Sequence, residues 1–236
     1  MNEVLKSKLN EYKNSYFENK EFKAWLRESD LWMAEYTCLR IQGIEMDKKE
    51  LVDVVEGKLM TDIPLDIYGF VHKLRDVYKE MKAHLGMLES MSEPLFNKFY
   101  EMLIEGDGYR KDNPVIYKWG YIAPHFNDVR GDLSMLFKQL EKVEDPIRRA
   151  LDAHTGVLTI YPYDKGTEIM ACLAMFYELM RSNVPLPSFS VDDIDYNKLV
   201  AAYLKDGSPD LEDMIVRSLI NRIDSVMMFG AESKER

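Results

Sequence analysis

The sequence predicts an all-α protein with one small β-hairpin. Two observations carry this. Apolar residues recur at three- and four-residue intervals through most of the chain, the period of helices with one buried face. Only one segment, Tyr109 to Tyr121, is aromatic and β-branched with turn signals at Asp112-Asn113-Pro114 and Gly120, which reads as a hairpin.

Leu5, Leu9, Tyr12, Tyr16 and Phe17 mark a first helix, followed by an apolar stretch from Phe22 to Leu26. A second helix is expected from about Asp30 to Ile41, stopped by Gly43, since glycine adopts the left-handed cap conformation cheaply. Asp47 with Glu50 three residues on forms a capping box for a short helix ended by Gly57. A long helix follows Pro64, with Ile67, Phe70, Val71, Leu74, Val77, Tyr78, Met81 and Leu85 on its apolar face, and another spans Glu93 to Ile104. Beyond the hairpin, helices are expected over Asn127 to Val143 and Pro146 to Thr159, the latter opened by a proline whose missing N–H is not needed there. A loop from Tyr161 to Thr167 precedes a helix from Glu168 to Arg181. Past Pro185 and Pro187, two more helices run over Asp192 to Leu204 and Asp210 to Met228.

With 236 residues, 46% hydrophobic and 31% charged, the chain has the balance of a globular protein, one large domain or a domain with an arm. Its net charge of −10 repels phosphates and anionic membrane surfaces. The densest basic cluster, Arg148-Arg149, has Asp145 and Asp152 beside it and reads as a solvated helix face. Neither nucleic acid nor a membrane is expected as partner. The apolar stretch near Ile169 to Met180 contains Glu178 and is too short to span a bilayer. The opening MNEVLKSKLNEYKN lacks the apolar core of a secretory signal. Cys38 and Cys172 match no metal or disulfide spacing, so a reducing, cytoplasmic setting is expected.

A helix, a tight loop with proline and glycine, and a second helix make an anion site, because the second helix offers unpaired N–H groups and a positive dipole end. The stretch Ile160-Tyr-Pro-Tyr-Asp-Lys-Gly-Thr-Glu-Ile169 resembles a degenerate form of the Fic motif, I-H-P-F-x-D/E-G-N-G-R. Ile160, Pro162 and Gly166 match without a gap, and Tyr163 stands for the phenylalanine. Downstream, Leu173, Met175, Leu179 and Asn183-Val184-Pro185 follow the family's apolar helix and its ending. Gly108-Tyr-Arg110, Val115-Ile116 and Tyr121-Ile-Ala-Pro124 are similar to the family's flap. Cys38-Leu-Arg-Ile-Gln-Gly43 resembles its inhibitory motif S/T-x-x-x-E-G, with Cys38 for the serine, Gln42 for the glutamate and Gly43 retained. The resemblance implies a Fic-like helical core over 61–236, with flap 108–124 and motif loop 160–172, after an N-terminal helical arm over 1–60.

Active members of the Fic/Doc family move a nucleotide monophosphate, usually AMP from ATP, onto a target hydroxyl. The family's general base is a histidine, suited by an imidazole that titrates near neutrality. Tyr161 stands there, and only about one phenol in a thousand is ionised at pH 7. Thr167, Glu168 and Ile169 replace the anion-hole residues and the phosphate-clamping arginine. A carboxylate about 4 Å from a phosphate charge costs roughly 4 kcal/mol at an effective dielectric of 20. Lys165 replaces the metal-binding acid and repels Mg²⁺, with Asp164 one residue away as the only nearby substitute. Cys172 takes the place of the second arginine, which pairs with the inhibitory glutamate in the family, so the corresponding pair here is Gln42 and Cys172, both neutral. Two buried thiols in old polar positions are favoured over a redox pair.

The resemblance thus implies a degenerate Fic protein without AMP transfer, kept as a binding or regulatory module, with no metal or cofactor. The alternative is a transferase moving AMP or another phosphate-containing group onto a protein hydroxyl, using ATP or another nucleotide with Mg²⁺. The expected partner is a protein segment docked on the flap, where Val115, Ile116, Tyr117 and Trp119 are candidate contacts and Tyr121 a further aromatic, or a second copy of the chain. These aromatics serve equally well as cover for the core. His154 reads as a bonded helix residue near the loop, and His72, His84 and His125 have no ligand spacing.

Overall fold

A computed structural model of the chain describes residues 3–15, 20–104, 106, 108–189 and 191–232. Ten α-helices and one two-stranded antiparallel ribbon are found among them. The helices are α1 (Glu3–Ser15), α2 (Lys20–Arg40), α3 (Lys48–Val55), α4 (Leu65–Gly86), α5 (Glu93–Leu103), α6 (Val129–Leu140), α7 (Pro146–Ile160), α8 (Thr167–Arg181), α9 (Asp193–Asp206) and α10 (Asp210–Glu232). The ribbon is β1 (Val115–Ile116) and β2 (Tyr121–Ile122), with Val115 opposite Ile122 and Ile116 opposite Tyr121.

Local capping chemistry explains several boundaries. Asp47 and Glu50 form the expected reciprocal capping box, and Asp145 accepts from Ile147 N–H at 2.9 Å ahead of Pro146. Elsewhere the structure departs from the sequence reading. The stretches 22–26 and 30–41 are one helix, α2, because the polar Arg27-Glu28-Ser29 contains no breaker and merely turns to the surface. The helix expected from Asn127 begins as a 3₁₀ turn at Phe126–Asp128. Helix α10 continues past Met228 to Glu232. Tyr16 and Phe17 lie outside the described residues.

Helix α8 is the centre of the molecule. Every residue from Ile169 to Leu179 is buried, so this helix is apolar on all sides and must be enclosed. Helix α7 makes the most extensive contact with it, and α2, α4 and α5 also pack against it. Gly156 of α7 lets α6 approach closely: a Cβ there would lie 2.5 Å from Leu136 Cδ1. One apolar core contains residues from α1 (Leu5, Leu9) through α10 (Ile223, Val226), so the N-terminal arm shares a single core with α4 to α10. A smaller cluster, Leu39, Met46, Leu51, Val54, Tyr68 and Val71, lies around α3.

Arg148 is ion-paired with Asp152 and Glu212, but Arg149 is not part of a solvated face. Its guanidinium donates to Glu178 at 2.7 Å, Ser182 Oγ at 2.9 Å and the Val143 carbonyl at 3.0 Å. Glu178 is 1% exposed, and Arg149 is the counter-ion that lets it sit in the apolar helix α8.

Candidate functional site

The loop 161–166 joins α7 to α8. Helix α7 ends because Tyr161 enters the left-handed region, with φ 49° and ψ 63°, and Pro162 cannot continue a helix. A left-handed tyrosine costs on the order of 1–2 kcal/mol. Arg110 holds it there: its Nε donates to the Tyr161 carbonyl at 2.7 Å, and Arg110 N–H donates to the Pro162 carbonyl at 3.0 Å. The same guanidinium donates to the carbonyls of Asp112, Pro124 and Ile160. Arg110 is 2% exposed and ties the loop to the hairpin through backbone oxygens alone.

Tyr163 is the wedge of the loop. It is fully buried and stacked on Tyr100, with Tyr109 and Phe96 at 5.3 and 6.0 Å between ring centroids. Thr167 is buried below it, donating to the Tyr163 carbonyl at 2.8 Å and accepting from its N–H at 3.1 Å. Gly166, at φ 79°, starts α8 where a Cβ would sit 3.1 Å from Ile104. Asp164 and Lys165 are exposed at the tip.

The Tyr161 ring is mostly buried, edge-on to Trp119 with centroids 5.6 Å apart. Burial, and then the charges of Glu168 and Asp164, push its phenol up to about 12. It therefore stays protonated at neutral pH and cannot accept a proton as a base. Glu168, in the first turn of α8, is ion-paired with Lys118 from the hairpin, and Lys118 Nζ also lies 4.7 Å from the centre of the Trp119 ring. Ile169 is buried and offers nothing polar to a phosphate. Among the described residues no group of three His, Cys, Asp or Glu is gathered to hold a metal ion. Where the resemblance implies a metal-binding acid, the chain carries the exposed Lys165, which repels Mg²⁺, and Glu168 is already paired with Lys118.

The end of α2 reaches α8. Cys38 and Cys172 are both fully buried free thiols; burial raises both, and Cys38 adds to the rise at Cys172 as Glu35 does at Cys38. The expected Gln42–Cys172 pair does not form. Gln42 is exposed and turns back on its own helix, donating to the Cys38 carbonyl at 2.7 Å. Cys172 meets Tyr196 of α9 instead, whose hydroxyl also lies 3.1 Å from His154 Nε2. Gly43, at φ 75°, is exposed, and a Cβ there would meet Asp193 at 3.3 Å. His154 is fully buried and burial lowers its imidazole to about 4, with a weaker opposing pull from the Ala171 backbone. It contacts α9, not the loop.

The hairpin divides the expected contacts. Val115 and Tyr117 are exposed, by 43% and 89%, and Ile122 by 71%. Ile116 and Trp119 face inward: both are buried, and Trp119 Nε1 donates to Asn197 Oδ1 at 2.7 Å. Tyr121 donates to the Thr159 carbonyl at 2.8 Å. These three cover the core, which removes Ile116 and Trp119 as docking contacts. Lys118, Tyr100 and Tyr196 shape the site without any local signal in the sequence. Arg110 lies in the matched Gly108-Tyr-Arg110, though its role as a clasp is not readable there.

No protein-family model matches the sequence, and no curated protein does. Solved structures do. Residues 134–508 of Fic-1 from C. elegans match 99% of this chain and 73% of that one, with a TM-score of 0.72 and 16% identity. A Fic family protein from Desulfovibrio desulfuricans G20 gives a TM-score of 0.75 at 16% identity over 97% of this chain and 75% of its own. A Fic-domain signaling protein from Bacteroides thetaiotaomicron gives 0.75 at 13% identity, over 98% of this chain and 96% of its own. At such identity the likeness concerns the backbone: this chain has the fold of the Fic-domain proteins.

Proposed function

We propose that this chain uses the Fic fold as a docking or regulatory module and does not transfer AMP. The observation that carries this reading is the Glu168–Lys118 ion pair, which closes the start of α8 with a carboxylate and ties it to the hairpin. The protonated Tyr161 and the exposed Lys165 support it, since neither fits the base or the metal position that the resemblance implies. The partner is a protein segment that adds to the outer edge of the hairpin, where Val115, Tyr117 and Ile122 supply apolar contacts and main-chain pairing needs no catalytic loop.

The test has two arms. A panel of nucleotides with and without Mg²⁺ or Mn²⁺ should leave unfolding unchanged, whereas a ligand at a hundred times its Kd would add about 2.7 kcal/mol. A photo-crosslinking residue at position 117 should trap a discrete partner, and the same residue at the exposed Met135 should not. Transfer of label from ATP to any protein in lysate would overturn the reading.

A further inference from the structure

At the other end of α8 from the loop lies a cavity of about 770 Å³. The helix has 15 residues, so the two ends are about 22 Å apart. This volume is in the range of small-ligand sites, about 300–1,000 Å³. Its wall is apolar: Leu26 from α2, Tyr78 and Leu85 from α4, and Met180 and Val184 at the end of α8.

The charges around it are not balanced. Lys23 and Arg27 are one helical turn apart on α2, and Lys82 comes from α4. None of the three is in an ion pair among the described residues. Lys82 lies 5.7 Å from the centre of the Tyr78 ring, and burial and then Arg27 lower its affinity for its proton against weaker opposing pulls from Asp30 and Glu28. The carboxylates of the lining are already engaged. Asp30 accepts from Arg222 at 2.9 Å and from Leu186 N–H at 3.0 Å, and Glu89 is hydrogen-bonded to His84 Nδ1. The fourth cation, Arg181, is taken by Glu141 and Glu178. Three cations outside any ion pair among the described residues therefore face one largely apolar cavity in a chain whose net charge is −10. Like charges held this close are costly in the empty site and become favourable once an anion sits between them.

We infer that this cavity binds a small amphipathic organic anion. Its carboxylate or phosphate head would be held by Lys23, Arg27 and Lys82, and its apolar body packed between α2, α4 and the end of α8. The apolar wall alone would accept a neutral molecule equally well; the cations select the anion.

Calorimetric titration of the full chain with decanoate, decyl phosphate and 1-decanol, each below its aggregation limit, tests this. At least one anion should bind one to one and about tenfold or more tighter than decanol. The stronger of the two anions identifies the head group. Arg27→Ala, a truncation at an exposed position, should weaken that binding about tenfold, as should Lys82→Met. Lys165→Ala in the distant loop should leave it unchanged. The inference is overturned if neither anion binds, if decanol binds as tightly, or if Arg27→Ala binds like the parent chain.

Discussion

Tyr163 lies flat on Tyr100, with ring centroids 3.5 Å apart and planes 1° from parallel. This stack fixes the loop between α7 and α8 to α5. The Tyr163 hydroxyl donates to Asn97 Oδ1 over a long 3.3 Å and also meets the Tyr109 hydroxyl, but three rings enclose the side chain, so packing holds the residue more than hydrogen bonding does.

Tyr163→Ala should therefore cost about 3–5 kcal/mol, the usual range for emptying an aromatic site in a core. Tyr163→Phe keeps the stack and should cost under about 1 kcal/mol. Urea unfolding of both variants checks the contrast. Equal losses would mean that the hydroxyl, and not the ring, anchors the loop.

Arg110 gives a second prediction. Arg110→Leu leaves the carbonyls of Tyr161, Asp112 and Pro124 without their donor, and the left-handed Tyr161 without its restraint. A loss of about 3 kcal/mol or more is expected, with faster amide exchange in both 108–124 and 160–166. Arg110→Lys should not rescue, because one ammonium cannot reach carbonyls on two sides of a planar fork. Exchange confined to the hairpin would show that the clasp does not extend to the loop.

These two clusters also mark what the sequence discloses and what it hides. The Asp47–Glu50 capping box and the Pro162 break after α7 are local, so they are readable from neighbouring residues. The helical period places the central pair α7 and α8 and the loop between them correctly. Side-chain direction in the hairpin is not readable, because strands of two residues carry too little alternation. Trp119 turns inward because Asn197, 78 residues away, accepts its indole N–H. Gln42 fails to reach Cys172 for a related reason: a nearby carbonyl of its own helix satisfies it, and Tyr196 of α9 takes the position against Cys172. The Lys118–Glu168 pair likewise joins residues 50 apart, which no local pattern reveals.

On the proposed reading, a histidine at position 161 alone should do nothing. Tyr161→His places an imidazole beside Trp119, while Glu168 still occupies the start of α8 and Lys165 still puts a cation at the loop tip. No label should pass from ATP to protein with this variant, nor should nucleotide raise its stability. Turnover by the single variant would show that the loop is intact apart from its base.

The Arg149–Glu178 pair should behave as a unit. Arg149→Met takes from a 1% exposed carboxylate its closest counter-ion, at 2.7 Å, and leaves it only Arg181 at 3.5 Å, a change that should cost about 3 kcal/mol, the low end for comparable buried pairs. Arg149→Met with Glu178→Leu removes both charges and should recover most of that loss. Additive losses in the double variant, measured by denaturant unfolding, would count against coupling.

His154 sets a pH dependence whose sign can be worked out. Burial holds its imidazole at about 4 in the folded chain, against about 6.5 when unfolded. Between those values the unfolded chain binds a proton that the folded chain refuses. The contribution of the neutral ring is thus complete above pH 6.5 and is lost as pH falls towards 4, by about 3 kcal/mol in all. Other groups titrate in the same window; burial raises Asp30 to about 6 and Glu35 to about 7, so the whole-protein curve mixes opposing slopes. A comparison with His154→Gln isolates the histidine, since the amide can still bond the Tyr196 hydroxyl but does not titrate. The stability gap between parent and variant should narrow by about 2 kcal/mol from pH 7.5 to pH 5. A gap that stays constant would mean that His154 is protonated inside the fold.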